Sequence, residues 1–231
     1  MLTTQFEEEI AVLRLSHPER GNSFGVEEAG VLSQVLKKKG LRGIVLTGAG
    51  ERFFCTGGNL AAQAAAKNAK AALAQQKKIR EALRRLAECG IPAVALVNGD
   101  AFGGGLEVLS VFDHVITLPH SLFGFWQRKL GLSFGWGGGK RLAGRLGGQR
   151  LRHFALEASQ FSASEALRAG LVDEISPPHL AMERAYDWIT GVTKNPSYSA
   201  LKTWSVETEF RVFDKLWMNE RHKNTVKKHR R

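Results

Sequence analysis

The chain has 231 residues, 43% hydrophobic and 24% charged, which is enough for one sizeable core and ordinary for a globular protein. No run of about 18 apolar residues occurs, so no membrane span is expected, and Glu7, Glu8 and Glu9 do not read as the start of a signal peptide. A formal net charge of +11 favours anionic partners, while Cys55 and Cys89 are too few for a disulfide framework or zinc motif and point to a reducing cytoplasm.

In chain order, Ile10 to Leu15 read as a strand and Val26 to Lys38 as a helix ending at Gly40. Ile44 to Thr47 form a buried strand that runs through a glycine-bearing turn into an alanine-, lysine- and arginine-rich helical region, Ala61 to Glu88. That region reads first as a solvated amphipathic face. Val94 to Val97 form another buried strand, and Val115 to Thr117 a further one. Strand and helix alternate, which argues for an α/β protein. Pro177 and Pro178 mark a stop before terminal helices, and no linker or repeat divides the chain, so residues 1–231 read as a single domain.

Residues 98 to 107, Asn-Gly-Asp-Ala-Phe-Gly-Gly-Gly-Leu-Glu, carry the chemistry. Bare backbone N–H groups at a glycine-opened helix start can approach a ligand closely, and the helix dipole favours an oxygen that gains charge there. Tight packing of helix on sheet would also select these glycines. Glu107, one turn inside an apolar helix, is costly to bury without hydrogen bonds and reads as a working acid or base. Cys55 has no histidine near it in sequence and reads as a small buried hydrophobe.

Residues 44 to 60, ending Phe-Cys-Thr-Gly-Gly-Asn-Leu, build a second such turn. Together with Gly-Gly-Gly-Leu-Glu it resembles the two signature segments of the crotonase superfamily, the enoyl-CoA hydratase and isomerase fold, whose members hold a thioester oxygen between two backbone N–H groups. The resemblance runs from about His17 to about Ile175 and includes Phe123-Gly124, Gly135 to Gly138, Arg141-Leu142 and Ser164 to Asp173. It implies a spiral of repeated ββα units over 1–175 and a C-terminal helical region over 176–231. It also implies an oxyanion hole from the N–H groups of Thr56 and Gly104, and CoA contacts at Arg20, Gly21 and Gly58 to Leu60. An acyl-CoA thioester is then the partner, with coenzyme A arriving as part of the substrate and no separate cofactor. Arg20 reads equally well as a surface arginine.

Family hydratases carry a second glutamate where this chain has Gln127, in Phe123-Gly124-Phe125-Trp126-Gln127. An amide cannot take a proton from water as a carboxylate can, which weakens hydration as a reading. The segment with Trp126 and Gln127, followed by Gly135-Trp136-Gly137-Gly138-Gly139, is similar to a branch containing decarboxylases of alkylated malonyl-CoA esters. Loss of carbon dioxide there generates the enolate directly, and Glu107 is either the acid left to protonate it or the group that polarises and positions the surroundings of the leaving carboxylate. Trp126 and Trp136 are expected in the substrate pocket, with plain packing as the other explanation for them and for Gln127.

The resemblance also implies a homotrimer or a dimer of trimers. Trp188, Trp204, Phe210, Phe213 and Trp217 supply apolar material either for such contacts or for the protomer core. Some relatives bind AU-rich RNA through a lysine-rich helix, so Lys67, Lys70, Lys77, Lys78, Arg80, Arg84 and Arg85 keep a nucleic-acid partner as the alternative. His222 and His229 lack an accompanying carboxylate cluster, so no metal site is expected.

Overall fold

The computed structural model describes residues 1–195, 197–203, 205–217 and 219–228; Trp204 and His229 lie outside the described residues. Strand β1 (Leu2–Glu7) pairs antiparallel with β2 (Ile10–Leu15), and β2 runs parallel to β3 (Gly43–Gly48). Between them lies helix α1 (Val26–Val35). It ends earlier than the sequence suggests because the N–H groups of Lys37 and Lys38 turn back to Gln34 and Val35, tightening the chain towards Gly40.

From β3 onward the chain repeats one device: a long strand, a short strand, then helix. β3 is followed by β4 (Phe53–Cys55) and helices α2 (Leu60–Ala64) and α3 (Ala69–Glu88). β5 (Ala93–Val97) is followed by β6 (Asp100–Phe102) and α4 (Gly104–Leu109). β7 (His114–Thr117) is followed by β8 (Leu122–Gly124), a 3-10 turn over Trp126–Leu130, and helices α5 (Gly138–Leu146) and α6 (Gly148–Glu157). β9 (Phe161–Ser162), α7 (Ala163–Ala169) and β10 (Glu174–Ile175) close the series. The long strands form a six-stranded sheet ordered β1-β2-β3-β5-β7-β10, and the short ones a four-stranded sheet ordered β4-β6-β8-β9. Each repeat therefore adds one strand to each sheet, a spiral of ββα units.

The helix expected over Ala61 to Glu88 is interrupted. Asn68 caps α3 by accepting the Ala71 N–H at 2.9 Å, and Asn59 caps α2 by accepting that of Ala62 at 3.0 Å. Local capping by asparagine overrides the helix propensity of the alanines around it.

Every residue of β3 and β5 is buried, as expected of parallel strands covered on both faces. One face carries the larger core, where Leu13, Ile44 and Ala95 meet Leu32 of α1 and Leu83 of α3. On the other, Val45, Val94 and Ile116 pack against Ala185 and Ile189 of α8 (Ala181–Thr193). Three shorter helices follow, α9 (Tyr198–Lys202), α10 (Glu209–Leu216) and α11 (Glu220–Lys228). Lys202 pins this region to the body: its ammonium, on a side chain 2% exposed, pairs with Asp113 at 2.8 Å and donates to the Ile91 carbonyl. Trp188 stacks on His114, whereas Phe210, Phe213 and Trp217 stand more than half exposed and are not part of the protomer core.

Candidate active site

Strands β4 and β6 are parallel neighbours, with Phe53 beside Asp100 and Cys55 beside Ala101, so the turns that leave their C-terminal ends lie side by side. Gly57 (φ +107°) and Gly103 (φ +54°) hold backbone conformations that side chains rarely allow. A Cβ on Gly57 would stand 2.9 Å from the nitrogen of Gly104. The two glycine turns, about 45 residues apart in sequence, thus form one surface.

That surface floors a cavity of about 730 Å³. Arg20, Thr56, Gly58, Leu60, Gly104, Glu107, Trp126, Gln127 and Trp136 all line it; Gly21, expected among the CoA contacts, does not. Gly21 has a different task. Its carbonyl oxygen accepts the backbone N–H of Thr56 at 2.9 Å and the Thr56 hydroxyl at 3.1 Å. The expected oxyanion donor is therefore corrected: the Thr56 N–H is already committed within the protein. Among the described residues, the N–H groups of Gly58 and Gly104 have no protein acceptor, and both residues face the cavity.

Glu107 is 2% exposed. Its Oε1 accepts the Gly135 N–H at 3.0 Å, and its Oε2 accepts those of Trp136 at 2.8 Å and Gly138 at 3.0 Å. Three backbone donors compensate the burial of this carboxylate. A Cβ on Gly138 would press to 2.6 Å from Glu107 Cγ, which explains glycine there. The loop is braced from α3: Arg80 donates to the Gly135 carbonyl at 2.9 and 3.2 Å, and the Trp136 indole N–H donates to Gln76 at 2.7 Å. From α5, Arg141 donates to the Trp136 carbonyl at 3.3 Å and to the Ser110 hydroxyl at 3.1 Å. Burial holds the Arg141 guanidinium below the ordinary arginine value, with nearby Glu107 acting in the opposite direction.

Gln76 and Arg80 were not legible as site residues, since only the fold brings α3 against the 135–138 loop. Arg80 belongs to the basic cluster that kept nucleic acid in view, yet its guanidinium is engaged here. Arg84 and Arg85 likewise pair with Glu81 on their own helix, at 2.9 Å each.

Gln127 sits on the 3-10 turn, and both polar atoms of its amide are buried with no hydrogen-bond partner among the described residues. Such a group costs about 1–3 kcal/mol until something meets it. Beside it, Trp126 stacks on Phe102 at 3.8 Å and 4°, with the Lys129 ammonium 3.9 Å from its ring centroid. Cys55 is fully buried, and burial pushes its thiol up to about 12, so it is inert packing and no nucleophile. His17, Glu27 and Glu28 approach one another within 4.8 Å, but Glu28 is engaged by the N-terminal amine at 3.0 Å and the Gly25 N–H at 2.8 Å, and none of the three lines the cavity.

A spiral of ββα units around paired glycine turns defines a protein of crotonase fold, and comparison with known proteins agrees. Residues 5–216 match the family model described as enoyl-CoA hydratase/isomerase, and the chain belongs to that family. Among its relatives, ethylmalonyl-CoA decarboxylase of Mus musculus is 28% identical over 194 residues; the match covers 81% of this chain, and the chain spans 60% of that protein's length. YngF of Bacillus subtilis (strain 168), provisionally named an enoyl-CoA hydratase/isomerase, is 27% identical over 199 residues, covering 84% of this chain and 76% of that one. The crystal structure of enoyl-CoA hydratase from Bacillus anthracis superposes with a TM-score of 0.86 at 23% identity, covering 99% of this chain and 95% of that one, a likeness of fold. Among the described residues no helix is long and apolar enough to cross a membrane.

Proposed function

We propose that the cavity holds an acyl-CoA thioester with its carbonyl oxygen between the N–H groups of Gly58 and Gly104, and that the favoured reaction is decarboxylation of a short, branched malonyl-type ester. The observation that carries this reading is the pair of unengaged N–H groups beside one buried carboxylate, with an amide at Gln127. The bond from Cα to the free carboxylate breaks, carbon dioxide leaves, and the electron pair moves onto the thioester oxygen as an enolate. Each donor aimed at that oxygen is worth roughly 3 to 4 kcal/mol. Cα then takes the proton that the Glu107 carboxyl gives up, and Glu107 regains one from solvent. Oε2 of Glu107 already receives two donors, so a proton carried by this group belongs on Oε1, which receives one.

Gln127 has a role in the same scheme. Its amide N–H groups meet an oxygen of the departing carboxylate, a contact that would relieve their burial, while supplying no base to activate water. Arg20, with Leu60 and Gly58, borders the part of the cavity assigned to coenzyme A, where a guanidinium suits phosphate.

Hydration or isomerisation of an enoyl-CoA is the second reading, favoured by the family and by the naming of YngF. Crotonyl-CoA, a 3-enoyl-CoA and ethylmalonyl-CoA offered separately, with products weighed by mass spectrometry, distinguish the readings. Butanoyl-CoA and carbon dioxide from ethylmalonyl-CoA are expected; rapid hydration of crotonyl-CoA without carbon dioxide release from the malonyl-type ester would replace the first reading by the second.

A further inference from the structure

Trp136, only 5% exposed, reaches four parts of the site at once. Its backbone N–H is one of the three that hold the Glu107 carboxylate, 2.8 Å from Oε2. Its ring lies against both glycines whose unengaged N–H groups serve the cavity. A Cβ on Gly104 would stand 2.7 Å from the ring's Cζ3 and 2.9 Å from its Cη2, and a Cβ on Gly58 would stand 3.5 Å from Cζ2. The indole N–H donates to Oε1 of Gln76 at 2.7 Å. Gln76 belongs to α3, the helix whose Ala72 and Leu73 also line the cavity.

We infer that Gln76 is a positioning residue: by holding the Trp136 indole it fixes the surface against which the Gly58 and Gly104 donors rest, and so ties the seat of α3 to the oxyanion hole. The inference rests on the acyl-CoA reading above and deepens it. Glycine has no side chain with which to grip the ring, so Gly58 and Gly104 limit how close the indole comes without fixing its angle. An indole has a single polar atom, and here that atom's hydrogen bond to Gln76 sets the angle. Losing the acceptor frees the side-chain torsions of Trp136 and leaves its N–H unmet. The ring edge then shifts against both glycines, and a donor displaced by about 1 Å is enough to cost roughly a hundredfold in rate. Gln76 acts through Trp136 and touches no reacting atom in this scheme.

The infrared stretch of butanoyl-CoA isotope-labelled at its thioester carbonyl reads the oxyanion hole without turnover, because donors aimed at the oxygen lower the frequency of the bound ester below its value in water. Gln76→Leu removes the acceptor at similar volume. The bound frequency should return towards the value in water, and kcat on the best substrate should fall by roughly 10- to 100-fold. Gln76→Glu keeps an acceptor oxygen and should recover most of both. Trp136→Phe removes the N–H, and combining it with Gln76→Leu should give an enzyme no slower than the slower single variant, since both changes break one bond. If Gln76→Leu fails to fold by circular dichroism, Gln76→Met is read in its place for the same loss. A folded variant without the acceptor that keeps the native frequency and kcat, equal losses in the Leu and Glu variants, or additive losses in the double variant would overturn the role of Gln76 and leave the acyl-CoA reading intact. A native enzyme whose bound carbonyl keeps its frequency in water would overturn both.

Discussion

A Cβ added to Gly57 would lie 2.9 Å from the backbone nitrogen of Gly104, so the two turns meet with no room for a side chain between them. Gly57→Ala must therefore push the turns apart and also strain a residue at φ +107°. Turnover on the best substrate should fall by roughly 10² to 10³, the scale of losing one oxyanion donor. Stability should drop by about 1–3 kcal/mol, read from denaturant unfolding. A folded variant with native kcat would contradict the convergence of the two donors on the reacting oxygen.

Glu107→Gln exchanges one acceptor oxygen for an NH2 group in a place where both oxygens receive backbone N–H bonds. Whichever way the amide turns, a donor faces a donor. The expected outcome is a double loss: at least roughly a hundredfold in turnover if the group transfers a proton, and about 1–3 kcal/mol of stability from the unmet N–H. Loss of stability with an unchanged rate would assign Glu107 to holding the 135–138 loop alone.

Much of the fold was readable because buried parallel strands leave unbroken apolar runs: Ile10 to Leu15 is a strand with those very ends, and the strands over Ala93–Val97 and His114–Thr117 begin one residue before the expected starts. The break before α3 was hidden because one side-chain cap at Asn68 outweighs a run of helix-favouring residues. Glu107 stood out as a carboxylate in apolar surroundings, whereas Gly104 was singled out through the resemblance of Gly-Gly-Gly-Leu-Glu to the family's second signature segment. Thr56 did not yield its true role, since the acceptor of its N–H, the Gly21 carbonyl, comes from a turn 35 residues earlier. Gln76 and Arg80 were invisible for the same reason: their partners, Trp136 and Gly135, are brought to them by the spiral.

Gln127→Glu supplies a second carboxylate beside Glu107 in the same cavity. Hydration of crotonyl-CoA should rise by at least roughly tenfold, at the low end of acid-base effects because the new group is not otherwise positioned. Release of carbon dioxide from ethylmalonyl-CoA should fall. Parallel assays of both reactions on the same preparation check the exchange; a variant that loses both activities, or gains both, would show that this residue does not select between them.

Cys55 makes stability depend on pH at the alkaline end. Below the unfolded thiol's value of 9.0 both states keep the proton and the term is silent. Above it the unfolded chain releases the proton while the folded chain holds it to about 12. Unfolding free energy should therefore decrease with rising pH across that window, by up to about 1.4 kcal/mol per pH unit from this one group. Tyr186, raised by burial and by Glu7, and Tyr198, raised by burial and Asp113, add the same sign at higher pH. Urea unfolding between pH 8 and pH 11 should show a shallower slope for Cys55→Ala than for the native chain; identical slopes would deny the thiol this role.

The most direct test of the account is a crystal structure with butanoyl-CoA, whose thioester oxygen reports where charge is to be held. That oxygen should lie about 2.7 to 3.1 Å from the backbone nitrogens of both Gly58 and Gly104, with the Thr56 N–H still donating to the Gly21 carbonyl as it does now. A thioester oxygen bound away from this pair, or bound to a Thr56 N–H that has released Gly21, would contradict the oxyanion hole on which the proposed chemistry rests.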